Sequence, residues 1–154
     1  MEQALFANQR ETNLNSTVVL IEEVLTDLGH DPEKTRQTDT DALHAWRIVK
    51  GSATTLVTLI NRTLFTHLRV CSVVMTTDAK VDRNALNEHL LKLNGNLCGA
   101  AFAIDGNRVL MMSERTTLDL DRSEVRETIR RVTTYADDHD DGLVATFGGT
   151  MGGQ

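Results

Sequence analysis

Between His44 and Met75 the chain runs through β-branched and apolar residues with only two short polar breaks, and this stretch limits the fold more than any other. It reads HAWRIVKGS, then ATTLVTLI, then, after NRT, LFTHLRVCSVVM. Composition and punctuation predict three consecutive strands joined by tight turns at Gly51-Ser52 and Asn61–Thr63. Side chains alternate along a strand, so Trp46 and Ile48 share a face. In the second strand Thr54, Leu56, Thr58 and Ile60 share one face, and Thr55, Val57 and Leu59 the other. The third strand carries Cys71, Val73 and Met75 opposite Val70 and Val74, so it is apolar on both sides. A strand of that kind is central, or it meets a partner on the side that helices leave open.

Amphipathic helices flank the meander and can cover its apolar face. Val18, Ile21, Val24, Leu25 and Leu28 recur at helical spacing after a candidate N-cap at Ser16, with Gly29 as the stop. Residues 1–15 are polar and show no period, which predicts a flexible N-terminal arm. Asp31 to Asp41, with the sole proline at Pro32, reads as a loop. Asp82 opens a second helix, with Val81 and Leu86 at staple positions and Leu86, Leu90 and Leu93 as its stripe. Asn94-Gly95 should end it through a left-handed residue. Leu97–Ile104 and Arg108–Arg115 are two further strands around the hairpin signal Asp105-Gly106-Asn107. Asp121 and Glu124 form a capping box for a third helix, staple-flanked by Leu120 and Val125, with Val125, Ile129, Val132 and Ala136 as its buried stripe. At Asp137–Asp141 this helix either continues, carrying Leu143 and Phe147, or frays and restarts, because negative charge near a helix C-terminus is unfavourable.

The order is helix, three strands, helix, two strands, helix: an α+β domain with an antiparallel sheet covered by helices, spanning 16–147, followed by a flexible C-terminal tail, 148–154. A length of 154 residues suffices for one domain with a real core.

The chemistry-bearing residues form no recognisable constellation. His30, His44, His67, His89 and His139 are scattered without ligand spacing, and no CxxC or HExxH occurs, which predicts no metal site. Asp137 to Gly142 superficially follows a calcium loop, but Gly148 stands where a bidentate Glu is required. Lys50-Gly51-Ser52 lacks the order of a phosphate loop, and Ser52 and Ser113 have no nucleophile motif around them. No catalytic residue and no cofactor is therefore expected. A net charge of −6 with 4% aromatic residues argues against a nucleic-acid partner. No signal peptide and no membrane-length apolar run are present, so a cytoplasmic protein without a membrane contact is expected. Cys71 and Cys98, each in an apolar run, read as buried and reduced.

Four residues stand out as candidate partner contacts. Arg122, Arg126 and Arg130 form a row at i, i+4, i+8 on the third helix, suited either to an acidic partner or to a solvated face in which Glu127 pairs with Arg131. Trp46, the sole tryptophan, is either core filler or, if exposed, a binding anchor.

Several strings carry a resemblance beyond these patterns: WRIVKGS from Trp46 to Ser52, LNEHLLKLN from Leu86 to Asn94, FAIDGNRV from Phe102 to Val109, and Tyr135-Ala-Asp137 followed by Leu143. With the element order, they resemble the bacterial YbjN family over about Ser16 to Phe147. Members are described as sensory-transduction regulators and grouped with type III secretion chaperone-like folds. The resemblance implies a small acidic homodimer in the cytosol that holds a polypeptide in extended form, and no catalytic residues. The resulting expectation is a non-enzymatic protein-interaction module, a chaperone-like or regulatory adaptor that dimerises through apolar surface on the second helix or the sheet. The rival readings are a small-molecule sensor or enzyme with a pocket between the first helix and the sheet, and a subunit stable only within an assembly.

Overall fold

The computed structural model describes residues 2–63 and 65–152, with side chains from Gln9 onward, and it builds the expected meander. In order, the elements are α1 (Glu2–Asp27), α2 (Pro32–Thr35), β1 (Arg36–Gln37), β2 (His44–Lys50), β3 (Ala53–Asn61), β4 (Thr66–Thr76), α3 (Arg83–Asn94), β5 (Ala101–Asp105), β6 (Arg108–Thr116), α4 (Arg122–Phe147) and β7 (Thr150–Met151). The strands form one sheet in the order β1-β2-β3-β4-β6-β5, all pairings antiparallel, with β7 added to β4. The α+β architecture is as expected, with β4 central and the loop after α1 adding α2 and β1.

Local chemistry explains most boundaries. Asp82 accepts hydrogen bonds from Asn84 N at 3.0 Å and Ala85 N at 3.1 Å and starts α3. Asp121 and Glu124 complete the capping box of α4. Asp31 caps α2, with Pro32 in its first turn. The Gly106 φ of +62° closes the two-residue hairpin between Asp105 and Arg108.

Helix α4 packs across β3, β4 and β6, and α1 packs on α4. The core lies between that helical layer and one sheet face: Trp46, Ile48, Val57, Leu59, Leu68, Val70, Val74 and Met111 from the strands, Val125, Ile129, Val132 and Ala136 from α4, and Ile21, Val24 and Leu25 from α1. Trp46 is 0% exposed, so of its two readings the fold takes core filler.

Five expectations need correction. Ser16 is not an N-cap: α1 already runs from Glu2 through the segment expected as an arm, and the Ser16 hydroxyl bonds back to Asn13 O at 2.9 Å. Gly95 is right-handed (φ −64°, ψ −18°); α3 ends instead where the Asn94 side chain imitates a strand, donating to Phe102 O at 3.2 Å and accepting from Phe102 N at 2.7 Å. A bulge between Val73 and Met75 turns Met75 into the core beside Val74. The expected tail supplies β7, whose Thr150 and Met151 pair with Thr76 and Met75, where β4 extends past the start of β3; Gly153 and Gln154 lie outside the described residues. Cys98 is exposed rather than buried.

Helix α4 continues unbroken through Asp137–Asp141. The acidic run ends more than a turn before Phe147, where the unfavourable end of the helix dipole has faded, and the one hydrogen of the Ser52 hydroxyl is shared between Asp140, only 4% exposed, at 2.6 Å and Asp137 at 3.1 Å. Leu143 then packs into the core as the stripe requires.

Candidate functional site

The sheet face turned away from α4 is the feature that chemistry can use. Register decides what stands on it. Leu56 of β3 lies opposite Cys71 of β4, Cys71 opposite Met112 of β6, and Met112 opposite Ala101 of β5. One row of apolar side chains thus crosses four strands. A second row joins Val73, Leu110 and Ala103. These side chains are half-buried, and Leu56 is 38% exposed. On β2 the exposed Arg47 and Val49 continue the face opposite Leu56 and Thr54.

A charged row borders the apolar ones. Arg69 of β4 stands opposite Glu114 of β6. Glu114 accepts from Arg62 Nε at 2.7 Å, from Arg62 Nη2 at 2.9 Å and from Arg69 Nε at 2.8 Å. The hydrogen bonds from Arg62, with Arg69 adding to them against the opposing cost of burial, hold the Glu114 carboxyl down to about 2. It is therefore ionised at any physiological pH, and both guanidinium groups are fixed at the border of the face. Burial pushes the Cys71 thiol up, partly offset by the nearby Arg69 charge, so it behaves as a small apolar group and not as a nucleophile.

A second concavity opens at the end of the sheet. A cavity of 740 Å³ lies between the N-terminal half of α1, the β3–β4 turn and the β6–α4 loop. Leu14, Leu43, Phe65 and Leu118 supply its apolar wall, and Arg10, which donates to Asn61 Oδ1 at 2.8 Å, stands among its polar lining. Leu43, Phe65 and Leu118 are each exposed by 40% or more.

The candidate contacts read from the sequence do not converge on either feature. Trp46 is enclosed in the core. Arg122 reaches Glu23 at 2.9 Å and Asp27 at 2.8 Å, and Arg126 also pairs with Asp27, so both clamp α4 to α1. The two guanidinium groups, Arg122 foremost, lower the pKa of Asp27. Arg130 faces Glu127 at 3.9 Å in solvent, while Arg131 lies against Gly99 rather than pairing with Glu127. Sequence reasoning missed the Arg62–Glu114–Arg69 group, whose members lie on different strands or turns. It did place Leu56 and Ile60 on one face and marked β4 as apolar on both, which is the signal that pointed here. Among the described residues, no cluster of three His, Cys, Asp or Glu could hold a metal ion, and no helix is long and apolar enough to cross a membrane.

Comparison with known proteins bears on the same geometry. Residues 16–152 match TY-Chap1, described as T3SS (YopN, CesT) and YbjN peptide-binding chaperone 1. Among solved structures, a chain of the HopA1–SchA chaperone–effector complex superposes with a TM-score of 0.57 at 12% identity, covering 85% of this chain and 97% of the other. A chain of the ExsC–ExsE complex gives a TM-score of 0.57 at 13% identity, over 84% and 94%. The Yersinia pestis type III secretion chaperone SycH, in complex with a fragment of YscM2, gives 0.53 at 17% identity, over 78% and 96%. At these identities the likeness is one of fold. No curated protein sequence matches the chain.

Proposed function

The chain belongs to the TY-Chap1 family of T3SS and YbjN peptide-binding chaperones, and from that premise we propose that it is a non-enzymatic adaptor that holds a polypeptide partner in extended form. The observation that carries this reading is the apolar row Leu56, Cys71, Met112 and Ala101 across four strands of the uncovered sheet face. An extended segment laid over such rows buries alternate apolar side chains, and backbone hydrogen bonds along a free sheet edge add affinity without demanding one sequence. Glu114 holds the bordering Arg62 and Arg69 in place and offsets one of their two charges, so this border keeps a net positive charge that can orient the segment through an acidic group or a backbone carbonyl. We place the protein in the cytoplasm, where its two unpaired thiols, one of them exposed, are stable. It works as a homodimer; Leu91 on α3, 71% exposed, and Ile104 on the neighbouring β5, 41% exposed, offer apolar surface for the second copy.

Affinity capture from lysate of the source organism tests the reading when the wild type is compared with Leu56→Asp and Met112→Asp. A stoichiometric polypeptide that the wild type retains and both variants lose is the expected result. Identical recovery on all three proteins would sink it. Sedimentation of wild type and Leu91→Asp tests the dimer: a monomeric wild type at micromolar concentration refutes it.

The 740 Å³ cavity favours a second reading, a small-molecule sensor whose site lies between α1 and the sheet end. Its wall suits an apolar group and its rim, with Arg10 and Asn61, a polar head. A metabolite that raises the melting temperature of the wild type but not of Phe65→Ser would support it.

A further inference from the structure

The edge of the sheet beside β2 is occupied by a strand of two residues. In β1, Arg36 pairs with Trp46 and Gln37 with Ala45, and among the described residues Arg47–Lys50 extend beyond it without a strand partner on that side. So short a pairing contributes little by itself. Among the described residues, the side chain of Gln37 donates to Thr35 O and Arg36 O alone, within its own segment. What ties β1 to the rest of the fold is the Arg36 guanidinium. Its Nη1 donates to Glu22 Oε1 of α1 at 2.9 Å, its Nη2 lies 2.6 Å from His44 Nδ1 of β2, and its Cζ sits 5.4 Å from the Trp46 ring centre. The His44 ring stacks on Trp46 with centres 6.1 Å apart.

That geometry fixes the state of His44. An arginine side chain has donors and no acceptor, and it does not deprotonate in proteins. Nδ1 of His44 must therefore present its lone pair, which makes the ring neutral with its hydrogen on Nε2. Burial and then the Arg36 charge disfavour the protonated ring, with Glu22 acting in the opposite direction. On α2, which also packs against β2, Lys34 is paired with Asp31 at 3.2 Å and Glu33 is exposed. A protonated His44 would set an N–H against an N–H and a cation against a cation, and it would compete with Arg36 for Glu22.

We propose that β1 is a proton-sensitive cover on the edge of β2, held by Arg36 while His44 is neutral and released when His44 takes up a proton. Release frees the backbone edge at Ala45 and Trp46 and removes the guanidinium from the Trp46 ring. With Arg47–Lys50 it leaves the whole of β2 open for the addition of an extended strand; this last consequence rests on the polypeptide-holding reading above. The direction follows from linkage. The covered state binds fewer protons than the released state, so acidification from about pH 6.5, the ordinary histidine value, shifts the balance to release. Each pH unit between the two His44 pKa values is worth a tenfold shift.

The full chain alone suffices for the test, so failure of the polypeptide-holding reading leaves it intact. Trp46 is the only tryptophan, and its emission reports on this edge. Emission is followed from pH 8 to pH 5 while the His44 ring is titrated by NMR, with circular dichroism confirming the folded state at each pH. The expected result is an Nε2–H ring at pH 8, a midpoint below the ordinary histidine value, and an emission change with that same midpoint. His44→Gln keeps a neutral acceptor for Arg36 and should abolish the change. Arg36→Gln removes the tie, so emission at pH 8 should already match that of the acidified wild type, and the His44 midpoint should rise. A protonated His44 stacked on Trp46 also quenches it directly, so the Arg36→Gln variant decides: constant emission through the His44 titration, an undiminished change in His44→Gln, or Arg36→Gln emission at pH 8 equal to that of the neutral wild type overturns the proposal.

Discussion

Replacing Glu114 by Gln removes the charge that holds two arginines at the border of the open sheet face, and its cost depends on pH in a defined direction. The carboxyl stands at about 2 in the folded chain against an ordinary value of 4.5. Full linkage of that difference, at about 1.4 kcal/mol per pH unit, is worth about 3.5 kcal/mol. Arg62 is 48% exposed and Arg69 34%, so solvent screening reduces the figure to about 1–2 kcal/mol. The folded pKa is depressed, so the stabilisation is complete above the unfolded value and is lost as pH falls from 4.5 towards 2. Urea unfolding followed by circular dichroism, which adds no ionic strength, gives the comparison at pH 7, 5, 4 and 3. The wild type should exceed Glu114→Gln by about 1–2 kcal/mol at pH 7, and the gap should close progressively below pH 4.5 with an unchanged m value. A gap independent of pH from 7 to 3, or no gap at pH 7, would refute the ion-pair account of this row.

Three other perturbations probe what holds the frame of the site. Ser52→Ala removes the hydroxyl that donates to the buried Asp140 and should cost about 1.5–3 kcal/mol in urea unfolding at neutral pH. Asp27→Asn breaks the α1–α4 clamp of Arg122 and Arg126; its effect on the melting temperature should be clear at low salt and shrink in 1 M salt (roughly a 3 Å Debye length). Gly152→Ala places a methyl group onto the Val73 carbonyl and should detach β7, abolishing exchange protection of the Gly152 amide, which donates to Val74 O at 3.1 Å, while global stability changes by less than about 1 kcal/mol.

What could be read from the sequence divides along a physical line. Asp82, Asp121 with Glu124, and the Asp105-Gly106-Asn107 turn act through atoms within a few residues, so their elements were legible. The first half of α1 was not, because residues 1–15 are mostly polar and their sequence carries no helical period to announce a buried face. Ser16 looked like a cap because its hydroxyl seeks a backbone partner, but it finds one backwards, at Asn13 O, inside the helix. Strand β7 was invisible for the opposite reason: Gly-Gly-Thr-Met-Gly has little strand preference, and the free edge of β4 makes the strand.

The same line runs through the candidate sites. The arginine row on α4 was evident from its spacing, yet spacing cannot show that Asp27, from the first helix, stands against it and occupies two of its three members. The apolar row of Leu56, Cys71, Met112 and Ala101 draws on four strands, and a one-residue slip in any register would send its members to the other face. The placing of Leu56 and Ile60 on one face and the doubly apolar character of β4 pointed to it. His44 carried no signal at all among five scattered histidines. Its neutral state is set by burial and by an arginine from the neighbouring edge strand, against the pull of a glutamate from a helix, and a tautomer imposed by a guanidinium is a property of contact, which no count of residues along the chain contains.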